Sequence, residues 1–121
     1  MANKIMIIED DPDIRELLRE LLEGEGFTVA TANNGLEGLR KLEVEEINGT
    51  SPQLIFLDLM MPVMDGHGFM SAYRGSVPVV LVTAAGERLS PSFGAVETLR
   101  KPIEMEHLFS ILERFGLTAN R

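Results

Sequence analysis

The sequence contains no cysteine, which removes disulfides, thiolate nucleophiles and cysteine-based zinc sites from consideration. A chain without disulfides suits a reducing compartment, and a cytoplasmic location is expected. Positive charge is also scarce: 11 basic residues face 19 acids, for a formal net charge of −8. Nucleic acid and anionic membrane both select for Lys and Arg, so neither is expected as a partner. No apolar run is long enough for a membrane span, and the N-terminus carries no signal-peptide pattern. Low-complexity tracts, linkers and internal repeats are absent too, so residues 1–121 are expected to form one domain.

What the chain does have is a globular balance, with 45% hydrophobic and 25% charged residues, enough to bury a core at this length. Short apolar strands alternate with amphipathic helices. "KIMIIED" (residues 4–10) reads as a strand, and "DPDIRELLRELLEGEGF" as a helix with Asp11 as N-cap and Pro12 at its first position. In that helix Ile14, Leu17, Leu18, Leu21 and Leu22 are spaced along one buried face, and Gly24 and Gly26 end it. "FTVATA", "QLIFLD", "VPVVLVTA" and "AVETLRKP" supply four more strands. "LEGLRKLEVE" after Asn33-Asn34-Gly35, "GHGFMSAYRG" and "EMEHLFSILERFG" supply further helices. The last should bury Met105, Leu108, Phe109, Ile111, Leu112 and Phe115. Glu43, Glu45 and Glu46 read as a solvated helix face. Such alternation predicts an α/β fold, a parallel sheet with helices on both faces.

In these folds ligands gather at the carboxyl ends of the strands. Strand 1 delivers Glu9 and Asp10 to that edge, strand 3 Asp58, strand 4 Thr83 and strand 5 Lys101. Asp58 closes the apolar run of "LIFLDLMMPVMDG", where a lone acid is unfavourable unless compensated. If strands 1 and 3 are neighbours, their ends lie roughly 5 Å apart, and three carboxylates that close need a cation or a raised pKa. Magnesium suits such a set, with a lysine as mobile point charge and a hydroxyl as donor. Carboxylate, magnesium, lysine and hydroxyl together can receive a phosphoryl group, with Asp58 as nucleophile.

These motifs, the acidic pair Glu9-Asp10, "DLMMPVMDG" from Asp58, "VTAAG" with Thr83, and "RKP" with Lys101, resemble the CheY-like receiver domain of bacterial two-component response regulators. The resemblance runs from Lys4 to about Phe115. It implies a flavodoxin-like three-layer sandwich with a five-stranded parallel sheet in the order 2-1-3-4-5. It also implies that Asp58 is the phosphoacceptor, that Asp10, Asp58 and the backbone carbonyl of Met60 bind Mg2+, and that Glu9 acts through water. Thr83 and Lys101 would grip phosphoryl oxygens, and the Lys101-Pro102 bond would be cis. The implied donor is a sensor histidine kinase or a histidine phosphotransfer protein, with an unknown protein as downstream target. Such a domain assists its own phosphorylation and dephosphorylation but is a signalling phosphoacceptor rather than an enzyme. Because only "LTANR" follows the last helix, a stand-alone, monomeric receiver is expected.

Departures from the family pattern carry expectations of their own. Glu9 stands where aspartate is commoner, which lengthens the side chain but keeps the acid. The stretch from Thr83 to Lys101 is shorter than usual, and "GERLSPSFG" carries Gly86, Pro91 and Gly94, so the fourth helix should be short, broken or mobile. Thr98 stands where an aromatic switch residue is usual, so phosphorylation is expected to act by ordering Gly86 to Phe93 instead. Met60 and Ala85 cannot hydrogen-bond an attacking water, so fast self-dephosphorylation is not expected. Two other functions compete. A magnesium-dependent aspartyl-nucleophile phosphohydrolase would want an acid two residues after Asp58, where Met60 stands. A flavodoxin-like nucleotide binder would want a Gly-rich loop after strand 1, where "EDDPD" repels phosphate.

Overall fold

The computed structural model describes residues 3–84 and 97–117. Along them run β1 (Lys4–Ile8), α1 (Pro12–Gly24), β2 (Thr28–Ala32), α2 (Gly35–Asn48), β3 (Leu54–Asp58), α3 (Gly66–Ala72), β4 (Val79–Thr83), β5 (Glu97–Arg100) and α4 (Met105–Arg114). Residues 86–94, where a short or broken helix is expected, lie outside the described residues, as does Ala85.

All five strands pair in parallel, in the order β2-β1-β3-β4-β5. This is the flavodoxin-like arrangement, and it fixes where the helices go. Strand side chains alternate between faces, so β1 sends Ile5 and Ile7 to one core and Met6 and Ile8 to the other. The first core is covered by α1 and α4 through Leu18, Leu22, Leu108, Ile111 and Leu112. The second is covered by α2 and α3 through Leu42 and Phe69. β3 and β4 are buried along their whole length, as their uninterrupted apolar sequence demands.

The helix ends are set by local chemistry. Asp11 caps α1 by accepting from the Asp13 N–H at 2.9 Å, with Pro12 in the first turn. Asn34 caps α2, and Gly49 closes it at φ 71°, a conformation that favours glycine. Asp65 caps α3. Gly38 lets α2 approach β1 closely: a Cβ there would meet Ile8 Cδ1 at 2.5 Å.

Three expectations need correction. Leu17 and Met105 lie at the borders of their apolar stripes and are exposed rather than buried. Glu45 is not simply solvated, because Lys4 pairs with it and the Thr50 hydroxyl donates to it at 2.5 Å. β5 ends at Arg100, so Lys101 follows the strand instead of closing it.

Candidate functional site

The strand ends meet at one rim. Just past β1, the Glu9 N–H donates to Ala32 O at 3.0 Å, which extends the ladder to β2 and turns the Glu9 side chain inward. That side chain is 1% exposed. Its Oε2 accepts the Asp11 N–H at 3.1 Å, while its Oε1 has no hydrogen-bond partner among the described residues. Across the strand boundary, Ile8 pairs with Leu57, so Asp58 at the end of β3 stands beside Glu9. Asp58 is also buried. Asp10, half-buried in the β1–α1 turn, completes an acidic trio whose ligand oxygens all lie within 4.8 Å of one another.

Lys101 enters from the far side of the sheet. Its Nζ lies 3.1 Å from Asp58 Oδ1 and 3.5 Å from Glu9 Oε1. The backbone places it: the Lys101 N–H donates to Thr83 O at 2.7 Å, and the Lys101-Pro102 bond is cis. Thr83 ends β4 and is buried, one residue beyond Val82, the partner of Asp58 in the register. Met60 lies two residues past Asp58 with its side chain largely exposed. Glu9, Asp10, Asp58 and Lys101 are thus brought together, and Thr83 adjoins them through the strand end.

The electrostatics are strained. Burial pushes Glu9 up to about 8, and a hydrogen bond and like charge at Asp58 add to it, against the Asp11 N–H and Lys101. Burial works against the charge of Lys101, but Glu9 and Asp58 outweigh it and raise its pKa. Among the described residues one ammonium faces three acidic side chains, and the buried Glu9 Oε1, 3.5 Å from Lys101 Nζ, has no hydrogen-bond donor. A hard divalent cation fits this oxygen-only donor set.

The turn after β3 is shaped to hold the rim. The Gly66 N–H donates to Leu59 O at 2.9 Å, the Gly35 N–H to Met64 O at 2.9 Å, and Val63 adopts φ 66° between them. Another residue reaches the acids from α1. Arg15 Nη1 donates to Glu9 O at 3.0 Å and to Asp10 O at 3.4 Å. None of the motifs points to Arg15. A cation early in a helix opened by acids is the signal that would.

A family model described as the response regulator receiver domain matches residues 5–113. A CpxR homolog, a transcriptional regulatory protein of Haemophilus influenzae, is 40% identical over 98% of this chain and 54% of its own length. The chain spans about half the length of the curated relatives it matches. Among solved structures, the chemotaxis protein CheY4 of Vibrio cholerae superposes with a TM-score of 0.80 at 28% identity, covering 95% of this chain and 99% of that one. The signal receiver domain of a histidine kinase from Syntrophus aciditrophicus superposes at 0.78 with 31% identity, covering 94% of this chain and 89% of that one.

Proposed function

The chain belongs to the response regulator receiver domain family, and from that premise we propose that Asp58 accepts a phosphoryl group from a phosphohistidine. In this reaction an Asp58 carboxylate oxygen attacks phosphorus, a P–O bond forms, and the P–N bond breaks. The electron pair of that bond stays on the imidazole nitrogen of the donor. The donor is a sensor histidine kinase or a histidine phosphotransfer protein, and the signal leaves through contacts with a downstream protein. A cytoplasmic location and a single receiver domain go with this reading.

The residues divide the work by charge. Burial of Asp58 at a strand end presents its carboxylate in one direction and keeps competing water away. Lys101, now on Asp58 Oδ1, is free to follow the incoming phosphoryl oxygens as a point charge. Thr83 offers one hydroxyl donor at the next strand end. Glu9, Asp10, Asp58 and the Met60 carbonyl would hold Mg2+, with Glu9 acting mainly through water. The ion supplies positive charge against which the phosphoryl oxygens can approach three acids. The observation that carries the reading is the geometry at Asp58: a buried carboxylate, 3.1 Å from Lys101 Nζ, in an acid cluster with one oxygen unpartnered among the described residues.

Intact mass after incubation with a small phosphodonor and Mg2+ tests it. The wild-type chain is expected to gain one phosphoryl group, and Asp58→Asn none. Rapid turnover of the donor with no retained group favours a magnesium-dependent phosphohydrolase instead.

A further inference from the structure

Arg15 is placed against its electrostatic interest. It sits in the opening turns of α1, whose N-terminal end carries partial positive charge and favours acids. Four carboxylates, Glu9, Asp10, Asp11 and Asp13, surround the turn before it. Even so, Arg15 forms no ion pair with any of the described carboxylates. Its half-buried guanidinium is committed to two backbone carbonyls, Glu9 O at 3.0 Å and Asp10 O at 3.4 Å, from a single Nη1. A guanidinium that takes carbonyls when acids are at hand is fixing the backbone.

The consequence falls mainly on Asp10. Glu9 is already oriented by burial and by the Asp11 N–H on its Oε2. The Asp10 carboxylate accepts no hydrogen bond from the described residues, so the peptide planes on either side of it set where it points. Arg15 holds the carbonyls of both those planes. We propose that Arg15 is a positioning residue for the cation site: its Nη1 clamps the Glu9 and Asp10 carbonyls and so aims the Asp10 carboxylate at the ion shared with Asp58. This rests on the receiver reading of the acidic rim and adds a residue to it.

The sign of one measurement separates this role from the alternatives. If Arg15 acted only through its positive charge, removing it would tighten Mg2+ binding, because a like charge near the ion disappears. If it only stabilised the fold, its removal would lower the melting temperature in EDTA and leave Mg2+ affinity alone. As a clamp, its removal weakens Mg2+ binding, by roughly tenfold for a lost supporting partner.

The experiment is calorimetric titration of Mg2+ into the wild-type chain, Arg15→Met and Arg15→Lys, with melting in EDTA alongside. Met keeps the stem and loses both donors and charge, and the roughly tenfold weakening is expected there. Lys keeps the charge and one compact donor, so a smaller loss, about threefold, is expected. Unchanged or tighter binding by Arg15→Met overturns the assignment. Should that variant not fold, Arg15→Lys decides in its place: weaker binding supports the clamp, and equal or tighter binding overturns it. A wild-type chain that binds no Mg2+ overturns the receiver reading itself, and the clamp with it.

Discussion

Val63 is the only non-glycine residue with positive φ among the described residues, at 66°. For a β-branched side chain this region crowds Cβ against the backbone and is unfavourable by roughly 1–2 kcal/mol. The side chain is 78% exposed, so its own packing does not offset the strain. The turn imposes it from both sides. The Met64 N–H reaches back to Pro62 O at 2.7 Å, and Met64 O is fixed on α2 by the Gly35 N–H. Replacing Val63 with glycine removes the clash but adds unfolded-state freedom, worth roughly 0.5–1 kcal/mol the other way. The expected outcome is a small net gain, about 0.5 kcal/mol, read as a higher urea midpoint with an unchanged slope. A lower midpoint would show that the strain is not there. "MPVMDG" is legible as a turn, but nothing in it announces which residue takes the left-handed conformation, because valine is among the worst choices for it.

At the scale of elements, α2 runs to Asn48, past the expected end near Glu45. What it gains there is an anchor. Lys4 at the start of β1 and the Thr50 hydroxyl both donate to the Glu45 carboxylate, tying the helix end to the sheet. The hydrogen bond from Lys4, then the one from Thr50, hold Glu45 below its usual pKa despite some burial. A carboxylate lowered on folding stabilises the native state above its unfolded pKa, and that contribution is lost as pH falls through the folded value. Glu45→Gln should therefore unfold at lower denaturant than wild type at pH 7, by less than about 1 kcal/mol for a partly exposed pair. The gap should begin to close as the pH falls through the ordinary glutamate range and be gone below the lowered folded value. A gap that stays constant down to acid pH, where Glu45 is protonated in both states, would assign the effect to packing. This anchor was not legible in the sequence because Lys4 and Glu45 are distant along the chain, and only the pairing of β1 between β2 and β3 brings them together. The strands, the helices and the cap of α1 were legible because they depend on local signals, apolar runs and Asp11-Pro12, whereas the strand order came from the family resemblance. Leu17 and Met105 mislead for the opposite reason. Helical spacing marks a stripe, but how wide a stripe is covered depends on the neighbour it packs against.

For the whole molecule, the fold puts its most unfavourable electrostatics at one rim. The chain carries a net −8, and at that rim Lys101 pairs with two of three clustered acids, Glu9 and Asp58. The strand-end residues that form it were legible, because a parallel sheet delivers its carboxyl ends to one edge. Their degree of burial and the clamp from Arg15 were not, since both depend on how α1 packs. Such a site is stabilised by whatever binds it and strained without it. Asp58→Asn keeps the shape and removes one buried charge. The Lys101–Asp58 contact weakens, but Glu9 remains 3.5 Å from the ammonium, so the lysine is not left unpaired. At pH 9, above the Glu9 value of about 8, both acids are charged, relief of the Glu9–Asp58 repulsion exceeds the loss, and in EDTA the variant should melt a few degrees higher than wild type. Magnesium reverses the comparison. At about 100 times its Kd a ligand adds roughly 2.7 kcal/mol to a native state that binds it, and wild type should gain most of this while Asp58→Asn gains little. Scanning calorimetry of both proteins in EDTA and in Mg2+ reads the crossing directly. A variant that melts below wild type in EDTA and responds equally to Mg2+ would mean that Asp58 is an ordinary partner of Lys101 and not a ligand of the ion.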